Sequence, residues 1–199
     1  SKVVRGWKKF SINIIIGIIM YVLIEDGTIT RYFNNIKGFT LGDLQYPKDI
    51  FTKWSVDEKE AIGIYKVVFD NSNLKNEEWY TNTDATFVFA DGTVTASYGT
   101  ATPKSHTELK TDLIKIIKIQ AANELSKTDW YITRNAEKST AIPSSISTHR
   151  DLVRTRQATM ETQTTNAANT PALETLYTFT TDSDGVKSRP LAEIPRLKI

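Results

Sequence analysis

The hydrophobic period of the chain changes at Thr102-Pro103. Before this point bulky side chains alternate with smaller ones, as Phe87 and Phe89 do against Thr86 and Val88; after it apolar residues recur every third or fourth position. A strand turns alternate residues to one face, whereas a helix brings residues i, i+3 and i+4 together, so no single element spans the change. The expected class is therefore α+β, an N-terminal antiparallel β domain followed by a C-terminal helical segment of two to three helices and an extended tail. The boundaries read as an N-terminal extension or strand over 1–19, a β-rich domain over 20–102, a helical region over 103–170 and an extended tail over 171–199. With 199 residues and no cysteine, the chain has length enough to bury a core, and disulfides and thiolate metal sites are excluded.

In the first half, residues 21–24 and 28–33 are β-prone runs joined by Glu25-Asp26-Gly27, a hairpin signal. Residues 36–45 read as loop, and Pro47 marks a turn or an edge because it donates nothing to a ladder. Residues 52–61 predict a short helix, with Ser55 as N-cap and Glu58 three positions on in a capping-box pattern. Residues 63–69 are the best central-strand candidate; 78–81 and 85–90 follow, and Asp91-Gly92 turns the chain into 93–98.

In the second half, Ser105 and Glu108 repeat the capping pattern, and Leu109, Leu113, Ile116, Ile117, Ala121 and Leu125 form a helical stripe. A break at Lys127 or Thr128 precedes a further helical turn or two over 130–138, bounded by Pro143. A third helix is expected from about 144 to 166. Its stripe is thin, only Ile146, Val153 and Met160, so it must pack on the first helix or on a partner. Residues 172–177 predict one last helical turn. Beyond Asp182-Ser183-Asp184-Gly185 the chain lacks periodicity and contains Pro190 and Pro195, which reads as an extended segment attached elsewhere, or as disorder.

Residues 12–24 form an apolar run of 13 behind Lys8-Lys9. It is shorter than the roughly 20 residues a transmembrane helix needs, and no small-x-small cleavage site follows it. Three readings stand: an upstream extension or ordinary strand with the domain beginning at Met20, a signal or anchor, and an interface segment.

Composition and motifs argue against catalysis. The 25 basic and 23 acidic residues are interspersed, with net charge +2, so neither nucleic acid nor membrane is an expected partner. The two histidines, His106 and His149, sit outside any nucleophile or metal motif, which makes them surface or helix-packing residues. Asp182-Ser183-Asp184-Gly185 lacks the acid that closes a calcium loop and reads as a turn. Paired acids such as Glu77-Glu78 have no apolar pocket signature to split their pKa values. No enzyme activity, cofactor or metal is expected. Arg134, Arg150, Arg154 and Arg156 form either an acidic-partner patch or a solvated helix face; the admixed Asp151 and Glu161 favour the latter. Trp130-Tyr131 favours helix packing, with a partner interface as the alternative.

The segment Leu125-x-x-Thr128-Asp129-Trp130-Tyr131-Ile132-x-Arg134, followed by Ala141-Ile142-Pro143, Arg150, Val153-Arg154 and residues 172–177, resembles the C-terminal half of tail-fibre-assembly-like proteins of tailed bacteriophages. Met20-Tyr21-Val22-Leu23-Ile24, Ile29-Thr30-Arg31-Tyr32, Tyr46-Pro47-Lys48-Asp49-Ile50 and Gly63-Ile64-Tyr65 resemble the N-terminal part of small tail-associated proteins. The resemblance implies a virion structural protein that acts through contacts with tail or tail-fibre subunits, located in the phage tail, or in the host cytoplasm during assembly. Its alternative is an assembly chaperone that binds or caps the fibre tip. Either form is expected in a homo-oligomer or a larger assembly. The residues expected to touch a partner are Trp130, Tyr131, Arg134, Arg150, Val153, Arg154, Tyr177 and Pro190.

Overall fold

The computed structural model describes residues 20–33 and 35–197. The readings placed on residues 1–19 lie outside them. The chain forms an α+β fold of two compact units, divided between Thr102 and Pro103.

The first unit contains β1 (Tyr21–Glu25), β2 (Thr28–Phe33), β3 (Phe39–Leu41), β4 (Leu44–Tyr46), α1 (Ile50–Lys53), α2 (Val56–Glu60), β5 (Ile64–Asp70), β6 (Tyr80–Thr81), β7 (Ala85–Ala90) and β8 (Thr93–Tyr98), with β9 (Thr102–Pro103) at the border. Five strands form one sheet in the order β2-β1-β5-β8-β7. Both Asp-Gly pairs make tight hairpins. Asp26 and Gly27 have φ of 49° and 73°, and Asp91 and Gly92 have 49° and 70°, the doubly positive geometry whose twist matches paired strands. Ser55 and Glu58 form a complete reciprocal capping box at α2.

Two expectations are corrected here. The sheet is not purely antiparallel, because β5 and β8 run parallel, with Val67 opposite Val94 and Phe69 opposite Ala96. Residues 71–84 carry the chain past β8 to the far edge, so β7 enters outside and β8 returns beside β5. Side-chain amides brace that crossing: Asn82 exchanges two 2.9 Å hydrogen bonds with the Lys75 backbone, and Asn73 donates to the Tyr98 carbonyl at 2.9 Å. The second correction concerns residues 36–45, which are not plain loop. They hold the β3-β4 hairpin, turned at Gly42 with φ 58°.

That hairpin exists because the sheet needs a cover. On one face Tyr21, Leu23, Phe33 and Ile64 pack against Phe39, Ile50 and Phe51. Ring centroids lie 4.8 Å apart for Phe33 and Phe39 and 5.0 Å for Tyr21 and Phe51, inside the favourable range for tilted aromatic pairs. On the other face Val22, Val67, Val94 and Ala96 form the floor beneath half-buried Tyr65, Phe69, Phe87 and Phe89. Tyr32 of β2 and Phe87 of β7 meet edge to face at 5.1 Å, although their strands lie at opposite ends of the sheet. The sheet is therefore strongly curled around this second cluster.

The second unit contains α3 (His106–Ser126), α4 (Asp129–Lys138), α5 (Ser144–Asn166), α6 (Thr170–Tyr177), β10 (Thr180–Thr181) and β11 (Lys187–Ser188). The thin stripe of α5 is fully covered: Ile146, Val153 and Met160 are all buried, and the helix packs along α3. The expected extended tail is corrected over residues 180–188, whereas 189–197 are irregular chain attached to the helices, one of the two readings of this segment. Residues 180–188 form a hairpin in which the Asp182 carboxylate accepts from the backbone of Asp184 and Val186, at 3.0 and 2.8 Å. Leu191, 2% exposed, then enters the core beside Ile117 and Met160. One amide seats it, since Gln163 donates to the Pro190 carbonyl at 3.1 Å and accepts from the Ala192 N–H at 2.9 Å.

Gly63 offers a direct test of the first unit. Its φ is 79°, and a Cβ built on it falls 2.5 Å from the Ile24 carbonyl oxygen, while its own carbonyl accepts from Ile24 N–H at 2.8 Å. Gly63→Ala is expected to destabilise the unit by about 3 kcal/mol, the sum of left-handed strain and overpacking, as read from urea unfolding.

Candidate functional site

The site is built where α3 breaks into α4. Thr128, wholly buried, donates through its hydroxyl to the Leu125 carbonyl at 2.9 Å and so stabilises the end of α3. Arg150 of α5 reaches the same break. One terminal nitrogen of its guanidinium donates to the Leu125 carbonyl at 2.9 Å, the Thr128 hydroxyl at 2.7 Å and the Asp129 carboxylate at 2.8 Å. Three acceptors from the helix break are thus gathered on one cation, which sets the direction in which α4 departs.

On α4, Trp130 and Tyr131 lie with ring centroids 3.8 Å apart, and the Arg134 guanidinium sits over both rings, 4.7 and 5.4 Å from their centroids. Cation–π attraction orders this exposed stack. Beside it runs a groove of about 770 Å³ walled by Trp130, Tyr131, Ile146, His149, Leu152 and Pro195. Lys127 and Arg196 also line it, as do Ser144, Ser145 and Thr148 from the first turns of α5.

Under the groove lies a buried carboxylate. Glu124 accepts from the Lys127 ammonium and, at 2.6 Å, from the Leu197 N–H. His149 Nε2 stands 3.3 Å from the same carboxylate and completes no hydrogen bond. Burial works to raise the Glu124 carboxyl, but Lys127, the Leu197 N–H and the charge of His149 together outweigh it and hold the group below the ordinary glutamate value. Proton transfer needs an atom within reach of a substrate. Here the carboxylate is occupied by partners within its own unit, and His149 Nε2 is shut off from solvent. The cluster pins the C-terminal segment to the end of α3.

The residues expected at a partner surface divide. Trp130, 52% exposed, Tyr131 and Arg134 form one surface. Arg150 and Val153 are corrected from surface to interior: Arg150 is buried because it holds the helix break, and Val153 is a fully buried core residue. Arg154 is exposed and pairs, among the described residues, with its helical neighbour Asp151 at 3.3 Å. The Tyr177 hydroxyl lies 2.6 Å from that of Thr164, against the core, and the exposed Pro190 serves through its carbonyl. The sequence reading missed Leu152, Pro195 and Arg196 as groove residues. Ile146, His149 and Leu152 share a three-residue spacing that marks a second helix face, whereas Pro195 and Arg196 carry no periodic signal. Among the described residues no group of three potential ligands is placed to hold a metal ion, and no helix is long and apolar enough to cross a membrane.

Comparisons of the chain with protein-family models, with curated proteins and with solved structures give no match.

Two measurements test the site's framework. Arg150→Ala is expected to lower stability by about 2–3 kcal/mol, since it strips a charged donor from the buried Thr128 hydroxyl and from the Leu125 carbonyl, with Arg150→Lys recovering only part because its ammonium stands one bond short of the guanidinium nitrogen that reaches all three acceptors. Glu124 has a depressed folded-state pKa, so its contribution is complete above the unfolded carboxyl value and is lost as pH falls through the folded one. The melting temperature of the wild type should therefore drop more steeply below about pH 5 than that of Glu124→Gln. Parallel curves would refute the pairing.

Proposed function

We propose that this chain is a tail-associated structural protein of a tailed bacteriophage, acting through contacts with tail or tail-fibre subunits and without catalysis. The observation that carries the reading is Trp130. It lies in the segment whose order resembles the phage family, and that segment holds the ring half-exposed on the rim of an apolar groove. Large amphipathic rings beside a groove supply most of the binding energy at protein interfaces, and a fixed cation stack keeps this one ordered at low entropic cost. Helix packing, the preferred sequence reading for this ring, leaves more than half of it uncovered.

The alternative, an assembly chaperone for the fibre, keeps one specific support. The stripe of α5 and the apolar residues of the C-terminal segment are covered within the unit itself, so the groove belongs to a body that needs no partner to complete its core. A socket of that kind suits an occupant that comes and goes.

Quantitative mass spectrometry of purified particles separates the readings. The structural role expects the chain at fixed stoichiometry, with Trp130→Ala reducing incorporation several-fold while the unfolding midpoint shifts by less than about 2 °C, as for an exposed side chain. Absence from particles whose fibres fail to assemble without the chain supports the chaperone. Absence with normal fibres refutes both.

A further inference from the structure

We infer that two copies of this chain pair through the outer edge of β7, antiparallel about a two-fold axis at Val88. The pairing gives the expected homo-oligomer a surface. It goes beyond the tail reading and does not depend on it.

The five-stranded sheet has two edges, β2 and β7. An edge strand offers unpaired N–H and C=O groups to any chain that can lie beside it, and folded proteins blunt such edges with charge, proline or bulges. β2 carries two of these devices. Its register against β1 shifts between Leu23 and Ile24, and Arg31 stands within it. β7 carries none of them. Ala85-Thr86-Phe87-Val88-Phe89-Ala90 holds no charge, proline or glycine, and its six pairs with β8 run without a shift. Among the described residues β7 pairs with β8 alone, and Tyr32 meets Phe87 ring to ring with no ladder between β2 and β7.

The ladder fixes which groups are open. Ala90 and Thr93 flank the two-residue Asp91-Gly92 turn and form a hydrogen-bonded pair, so Val88 and Thr86 also turn their backbone groups toward β8. The outward N–H and C=O groups therefore belong to Ala85, Phe87 and Phe89. The sequence around Val88 selects the occupant, because it has a phenylalanine on each side. With the axis at Val88, Phe87 of each copy lies opposite Phe89 of the other, which makes two aromatic cross-strand pairs. An axis at Phe87 leaves one such pair and sets Phe89 against Ala85. Opposed residues of antiparallel strands share a face, so the half-buried aromatic face continues across the join. On the other face Val88, 53% exposed, meets its own counterpart at a non-hydrogen-bonded position, where Cα atoms stand about 4.5 Å apart. A two-fold join occupies β7 of both copies and closes, and the guarded β2 edges stop further growth.

The test follows the full chain by sedimentation velocity from about 1 to about 100 μM, where a reversible dimer is expected. Val88→Lys sets like charges opposite each other and should raise the dimer dissociation constant by about tenfold. Val68→Lys should leave it unchanged, since Val68 is 54% exposed on the same face but lies two strands in from the edge. The chain has no cysteine, so Val88→Cys supplies a single thiol. Oxidised glutathione should link it into a covalent dimer, because facing positions lie within disulfide range. Thr86→Cys would stand about 14 Å from its counterpart and should not link. Circular dichroism checks that Val88→Lys is folded; if it is not, the two cysteine variants decide alone. A monomer up to about 100 μM overturns the inference. So does a dimer that Val88→Lys leaves intact, or a Thr86→Cys chain that links as readily as Val88→Cys.

Discussion

The guanidinium of Arg150 is the interaction on which the helical unit turns. A helix of 21 residues has to stop, change direction and start again within two residues, leaving terminal carbonyls without helical partners. The usual solutions are a glycine in the left-handed region or a side-chain cap. No left-handed glycine ends α3, whose C-cap Lys127 is right-handed, and Thr128 makes no capping bond to α4; its hydroxyl turns back to the Leu125 carbonyl, which alone does not tie α4 down. Instead a cation from a third helix gathers a carbonyl, a hydroxyl and a carboxylate at the break. The angle of α4, the position of Trp130 and Tyr131, and the groove beside them all follow from that junction.

Elsewhere, too, single polar side chains hold irregular backbone. Gln163 grips both sides of Leu191, Glu124 takes the Leu197 N–H, Asp182 organises the hairpin turn, and Asn82 pairs with the Lys75 backbone. Each supplies a donor or acceptor where no strand or helix neighbour does, which is the condition for burying irregular chain at all. A side-chain amide mimics a peptide group, so one residue replaces a strand partner. The arrangement explains how a unit with so thin an apolar stripe on α5 keeps a long C-terminal segment in place. Its acid sensitivity is built in, since Glu124 works only while ionised.

Much of the local structure was readable from the residues. The two Asp-Gly hairpins, the capping box at Ser55, the helix starts near Ser105 and Ser144, and the change of class near Thr102 all depend on neighbours in sequence. Trp130 was read first as a packing ring, and the structure leaves it half exposed. What went unread depends on distant partners. The β3-β4 hairpin is short and shows its purpose only when Phe39 meets Phe33 and Phe51. The parallel pairing of β5 with β8 depends on where a 14-residue connection delivers the chain, which no periodicity encodes. Arg150 looked like a solvated charge because its three acceptors lie 21 to 25 positions away.

By itself, the order of residues determined the elements: alternation makes strands, 3.6-residue spacing makes helices, and Asp-Gly or Ser-x-x-Glu pairs mark their ends. These are contests between a residue and its near neighbours, and the outcome travels with the segment. Only the tertiary structure decided which polar groups are interior. Burial of Arg150 and Glu124 is tolerated because specific acceptors and donors arrive from elsewhere in the chain, and the tail is held because Leu191 finds a core assembled from two helices. The free energy of burying a polar group depends on what surrounds it, and those surroundings exist only after folding.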